Sequence, residues 1–222
     1  MKVAILAANG QIARIVEKRI LTEGQFKDVD LTLMLRNASR LSDLADNPRV
    51  AILEGDLNNP SDVEKAVEGQ DLVFNDSVDH DDAGKNRPTK NIIAAMKKFG
   101  VKRLVLTNLL GIYDEVPGAF GDWNREFCFG GKVQPDNAAV ISDKLAAESG
   151  LDYTTLRLPW LNDRNEVKYA ITHKDEEYVG VSGSRQSMAD VVLKIVADPD
   201  FAKNDSIGIA DLETQGSNRP VY

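Results

Sequence analysis

The sequence predicts an α/β domain: a doubly wound, parallel sheet in a three-layer α/β/α arrangement, with a small C-terminal lobe over the crevice. Two observations predict it. Short β-rich runs alternate with longer amphipathic runs along nearly the whole chain, the pattern that gives a parallel sheet covered on both faces. A turn of small residues also follows the first strand, where such sheets bind their ligands.

The elements follow in order. Val3–Leu6 is a first strand, and Gln11–Glu23 a helix with Ile12, Ile15, Val16 and Ile20 on one face. Val29–Leu35 and Val50–Leu53 are the second and third strands. Asn59-Pro60-Ser61 opens a helix with a capping residue and Pro in its first turn, and the helix closes near Gly69. Asp71–Phe74 is a strand, Asn86–Phe99 a helix ended by Gly100, and Arg103–Leu106 a fifth strand. Asn108 to Pro135 reads as irregular. Asp136–Ser149 is helical, Tyr153–Leu156 is a strand, and Val167–Thr172 with Tyr178–Val181 read as a small hairpin. Gln186–Ala197 is a helix, Ser206–Ile209 a last strand, and the final dozen residues a tail. Residues 1–222 read as a single domain, with about 162–222 contributing the lobe.

Composition narrows the function classes. The 222 residues carry a net charge of −8 with no Lys/Arg run longer than two, which argues against nucleic acid as a partner. Cys128 is the only cysteine, so no intramolecular disulfide forms, and with two histidines an N/S-ligated metal site is not expected. Within Phe127-Cys128-Phe129 the thiol reads as a small buried hydrophobe rather than a nucleophile. The apolar N-terminal run stops at Asn9-Gly10-Gln11, too short for a signal peptide, and nothing approaches a membrane span. A cytoplasmic protein, monomer or homodimer, is the expectation. Trp123 and the Phe-rich 120–129 segment read as an exposed interface or a crevice lid.

The first strand-to-helix turn is Ala7-Ala8-Asn9-Gly10-Gln11-Ile12-Ala13-Arg14. A dinucleotide motif needs small residues three apart, for the tight turn, for close approach to pyrophosphate and for helix–strand packing. Positions 7, 10 and 13 hold Ala, Gly and Ala, and the helix that follows presents free N–H groups and a positive dipole end to a phosphate. With its strand-before, helix-after context this predicts a Rossmann-type domain. The second strand ends Leu35-Arg36-Asn37, with Arg40 nearby and no acid at the tip. An Arg there suits a 2′-phosphate, so NADP(H) is preferred to NAD(H).

Beyond these residues the chain resembles the atypical short-chain dehydrogenase/reductases, in particular the NmrA-like, single-domain NAD(P)-binding proteins. The segments that carry the resemblance are Gly55-Asp56, Gly69-Gln70-Asp71-Leu72-Val73, Val101-Lys102-Arg103-Leu104-Val105, Ser149-Gly150-Leu151-Asp152-Tyr153-Thr154-Thr155-Leu156-Arg157 and the run from Ser184 to Val192. The resemblance implies cofactor contacts at Asn9, Gly10, Gln11, Ile12, Arg36, Asp56, Leu57, Asn75, Asp76, Thr107 and Asn108, with Ala7 in the turn. It also implies contacts after strand six, at Pro159 and Trp160, where Leu158 intervenes between Arg157 and the proline that follows Arg directly in the family.

The family's catalytic Ser and Tyr-x-x-x-Lys are not found. Thr107 stands where Ser is usual; Lys144 has Val140 four residues before it; the alternative register places Ala139 and Pro135 at the Lys and Tyr positions. Tyr113 and Lys144 are the candidate substitutes, with Thr107 supplying a hydroxyl. His80, in Asp79-His80-Asp81-Asp82, is a further acid/base candidate in a loop whose carboxylates suit a hard cation. An oxidoreductase passing hydride to a quinone, flavin or carbonyl is the leading expectation, because the cofactor carries that chemistry. A non-catalytic NAD(P)-sensing regulator bound to a partner protein is the alternative, and a sugar-nucleotide epimerase or dehydratase a third.

Overall fold

The computed structural model describes residues 1–80 and 85–222. Among the described residues the strands and α-helices follow in chain order: β1 (Lys2–Leu6), α1 (Gln11–Thr22), β2 (Asp30–Leu35), β3 (Val50–Glu54), α2 (Pro60–Val67), β4 (Leu72–Asn75), α3 (Arg87–Phe99), β5 (Arg103–Leu109), α4 (Gly118–Phe129), α5 (Ala138–Ala147), β6 (Asp152–Leu158), β7 (Trp160–Asn162), β8 (Ala170–Thr172), β9 (Ser182–Ser184), α6 (Arg185–Ala197) and β10 (Asp205–Ala210). The main sheet has the order β3-β2-β1-β4-β5-β6-β10-β8. All its pairings are parallel except that of β8 with β10.

Alternation along the strands divides the core into two layers. Val3 and Ile5 of β1 face Ile12, Val16 and Ile20 of α1 and the apolar side of α6. Ala4 and Leu6 face the opposite way, onto Val63 and Val67 of α2 and Ile92 and Met96 of α3. A strand covered on both faces buries every residue, and β4 and β5 are buried almost throughout.

Because β2 and β4 flank β1, the chain's direction of travel reverses there. The strand ends at β1 and its neighbours therefore open the crevice expected at a topological switch point.

The predicted sheet and helices are present, with three differences. The stretch from 108 to 135 contains α4. The 167–172 and 178–181 segments do not pair as a hairpin: β8 joins β10 at the sheet edge, residues 178–181 form no strand, and β9 just after them pairs with β7, a strand not marked in the sequence. The last dozen residues are not a free tail, for Thr214 is buried and its Oγ1 accepts from the Val181 amide at 2.9 Å. As α6 and β10 belong to the main layers, the region after 162 is largely part of the central fold.

Candidate functional site

A crevice of about 1170 Å³ opens beyond the C-terminal ends of β1 to β5. Its β2–β3 side is formed by Arg36, Arg40, Gly55, Asp56 and Leu57. Ala7, Asn9 and Gly10 form its floor, and Asp76, Asp79, Leu109, Cys128 and Ala138 its β4–β5 side.

The floor is shaped by the turn after β1. Ala7 adopts φ 58°, a left-handed conformation that costs a non-glycine residue on the order of 1 kcal/mol. That twist lets the Gly10 amide donate to the Ala7 carbonyl at 2.8 Å and directs the chain into α1. No side chain caps the start of α1 at Gly10. Asp76, at the end of β4, reaches across instead, and its Oδ2 accepts from the Ala13 amide at 2.8 Å. Burial pushes the Asp76 carboxyl up to about 6, against the opposing pull of the Ala13 amide and the Arg185 charge.

On the β2–β3 side, the Asn37 side chain accepts from the Ser39 amide, which turns the chain away after β2. Arg36 and Arg40 are exposed on the crevice wall, and neither has a carboxylate partner among the described residues. Asp56 is held by its own turn, accepting from the Asn58 amide at 2.8 Å and from the Asn58 side chain at 3.0 Å. Gly55 is needed because a Cβ there would lie 2.9 Å from the Cβ of Asp62 on α2.

On the other side, buried polar groups brace the wall. The Asn75 side-chain amide donates to the Ser77 carbonyl at 2.9 Å, and the Thr107 hydroxyl to the Asn75 carbonyl at 3.3 Å. The Asn108 amide donates to the Ala139 carbonyl at 2.9 Å, tying β5 to α5. Asn86 bridges Asp79 Oδ2 at 2.8 Å and the Ala138 carbonyl at 2.7 Å. Cys128 is half-buried, and burial pushes its thiol up.

The structure brings Ala7, Asn9, Gly10, Arg36, Asp56, Leu57 and Asp76 together on the crevice wall. Gln11 is exposed beside it, and Ile12 packs into the core with its side chain. Asn75, Thr107 and Asn108 lie behind the wall as bracing groups.

Pro159 and Trp160 lie outside it. Trp160 packs against Trp123 with ring centroids 5.0 Å apart, and its indole N–H donates to Asn124 Oδ1 at 3.0 Å.

None of the three candidate catalytic groups, Thr107, Tyr113 and Lys144, is among the residues that line the crevice. Lys144 is exposed, 3.9 Å from Glu148 one turn further along α5. The Tyr113 hydroxyl donates to Asp143 Oδ2 at 2.5 Å, and burial together with the Asp143 charge pushes its pKa up. His80 lines the crevice, whereas Asp81 and Asp82 lie outside the described residues. Among the described residues no cluster of His, Cys, Asp and Glu is placed to hold a metal ion. No helix among them is long and apolar enough to cross a membrane.

Cys128 lies in the 120–129 segment read as an exposed interface or a crevice lid, whereas Asn137 and Ala138 were not legible as crevice residues, because their place depends on how α5 docks on the sheet.

Comparison with known proteins agrees with this fold. The model of a family described as NAD(P)H-binding matches residues 7–199. Two crystal structures of a short-chain dehydrogenase/reductase from Veillonella parvula superpose on the whole chain. One has 25% identity, a TM-score of 0.87 and 98% of its own chain covered. The other, in complex with NADP, has 24% identity, a TM-score of 0.86 and 99% covered. An anaerobillin reductase from Escherichia coli shares the fold at 18% identity and a TM-score of 0.75, with both chains covered completely.

Proposed function

This chain belongs to the NAD(P)H-binding family, and from that premise we propose that it is an NADP(H)-dependent oxidoreductase acting on a small acceptor in the crevice. The observation that carries the choice of NADP(H) is the pair Arg36 and Arg40. Both stand on the crevice wall at the end of β2 with no carboxylate partner among the described residues. A guanidinium left free at that strand end matches a phosphate monoester on the adenosine ribose. The Veillonella protein crystallised with NADP supports the same cofactor by analogy.

The residues present fit such a group. The crevice volume, the first amides of α1, which no N-cap side chain occupies, and the glycine at position 10 suit an extended dinucleotide. Bound NADPH would supply the hydride. Asp56 and Leu57 would flank the adenine, Arg36 would hold the 2′-phosphate, and the amides at the start of α1 would hold the pyrophosphate. The acceptor would then lie against Leu109, Cys128 and Ala138, the apolar part of the β4–β5 side. Tyr113 spends its hydroxyl on Asp143, so the proton that accompanies hydride is assigned to solvent. A quinone, flavin or carbonyl accepts hydride on those terms.

Calorimetry tests the cofactor. NADPH is expected to bind more tightly than NADH, and Arg36→Ala to remove about 1.5–3 kcal/mol of that preference, the value of a hydrogen bond to a charged group. An unchanged preference in Arg36→Ala would sink the assignment. Oxidation of NADPH, followed by its absorbance with quinones, flavins, aldehydes and ketones in turn, tests the activity. That none of Thr107, Tyr113 and Lys144 lines the crevice favours a second reading, a non-catalytic NAD(P) sensor. Tight NADPH binding without turnover on any acceptor class would select it.

A further inference from the structure

The space above Gly10 is filled by a carboxylate. A Cβ built on Gly10 would lie 2.1 Å from Asp76 Oδ2 and 2.9 Å from its Cγ. Gly10 itself has φ −63°, which any residue adopts, so the close approach of Asp76 is what requires glycine there. The same Oδ2 accepts from the amide of Ala13, the third residue of α1. A dinucleotide motif keeps this glycine so that a pyrophosphate can approach the helix start. Here an acid from β4 already stands against it.

Two anions at one helix N-terminus repel, and each disfavours the charge of the other. Among the described residues, few charged groups act on Asp76. Arg185, at the start of α6, favours its ionisation, but that guanidinium is bonded to Asp163 at 2.8 Å. Glu17, one turn along α1, is a second acid influenced by Asp76.

We infer that Asp76 is a proton-linked competitor of the cofactor's pyrophosphate at the start of α1, so that dinucleotide binding is coupled to protonation of Asp76. The inference rests on the cofactor reading above. Its geometry comes from Gly10, Ala13 and Asp76; the upward shift of the free acid to about 6 agrees with it, because the carboxyl is already easy to neutralise. Above that pH each further unit costs the binding-competent, neutral form about tenfold in population.

Calorimetry of the native protein with NADPH at pH 8, in two buffers of different ionisation enthalpy, measures the proton directly. The free Asp76 and the 2′-phosphate, with a second pKa of about 6, are both ionised at that pH. Uptake approaching one proton per site is expected, with binding roughly tenfold weaker at pH 8 than at pH 7. Asp76→Asn keeps an acceptor for the Ala13 amide and removes the charge. It is expected to abolish the uptake, flatten the pH dependence and bind NADPH at least about tenfold more tightly at pH 8. Binding of NADPH by the native protein without proton uptake, at equal affinity at pH 7 and 8, overturns the inference while leaving the cofactor assignment intact. Absence of NADPH binding from pH 6 to 8 in both native protein and Asp76→Asn overturns the cofactor assignment and the coupling with it. Should Asp76→Asn fail to fold, the buffer pair on the native protein still decides.

Discussion

Glu17 lies on the buried side of α1 with 1% of its surface exposed, and one of its oxygens, Oε1, has no hydrogen-bond partner. Burial pushes its carboxyl up to about 8; Arg14 at 3.0 Å pulls it down, and Asp43 and Asp76 push it further up. A folded-state pKa above the unfolded one means that the folded state holds more protons. Stability then falls as pH rises, here from about 4.5 towards 8. Glu17→Gln removes the titration, so the difference in melting temperature between variant and native protein is expected to be more favourable to the variant at pH 8 than at pH 5. Equal differences at both pH values would show that Glu17 does not titrate in that window. The places of Gly10 and Arg36 on the crevice wall were legible from spacing alone, because a strand-to-helix turn and a strand tip both lie at the C-terminal edge of the sheet. The roles of Asp76 and Glu17 were not. Asp76 reaches the start of α1 from 63 residues further along the chain, and no local pattern records that contact.

Elements repeat the lesson at larger spacing. The helices with strong apolar periodicity, α1 and α3, and those with marked ends, such as Asn59-Pro60 before α2, are where the sequence places them. α4 was read as irregular because Gly118 and Gly121 lower its helix propensity. Its signal was present all the same: Phe120, Trp123 and Phe127 recur at helical spacing, and Trp123 stacks on Phe127 with centroids 5.4 Å apart. Gly121 is needed for contact rather than for the helix itself. A Cβ there would lie 1.9 Å from the Val116 carbonyl oxygen, a backbone atom that cannot turn aside. Gly121→Ala would gain helix propensity in isolation, yet it is expected to destabilise the folded protein by roughly 1–3 kcal/mol through overpacking. Urea unfolding with an unchanged slope reads that loss, and a gain in stability would refute the contact. On the proposed oxidoreductase reading, and because α4 places Cys128 on the crevice wall, the same variant is expected to weaken acceptor binding more than cofactor binding. Michaelis constants for the two substrates separate these effects.

Across the whole molecule, several segments after β5 meet at a buried cation of the sheet. Arg157 of β6 is fully buried and pairs with Glu115 at 2.7 Å. Its Nη2 donates to the His173 carbonyl at 2.9 Å and to the Ser206 carbonyl at 3.0 Å. Glu115 in turn accepts from the amides of Gly111 and Tyr113, both at 2.9 Å, and its carbonyl accepts from the Tyr178 amide at 3.0 Å. The Tyr178 hydroxyl closes the circuit on the carbonyls of Arg157 and Ile209. The loop before α4, strand β6, the end of β8, the segment before β9 and strand β10 therefore share one electrostatic centre. A buried ion pair adds little over a well-packed apolar replacement, but loss of a single partner leaves an uncompensated charge in a low dielectric. Glu115→Gln is accordingly expected to cost roughly 3–5 kcal/mol, and Arg157→Met added to it to restore part of the loss by removing the stranded cation. Urea denaturation of the native protein, the single variant and the pair checks both steps. A Glu115→Gln protein within about 1 kcal/mol of native stability would mean that the Arg157 charge is satisfied by the carbonyls alone.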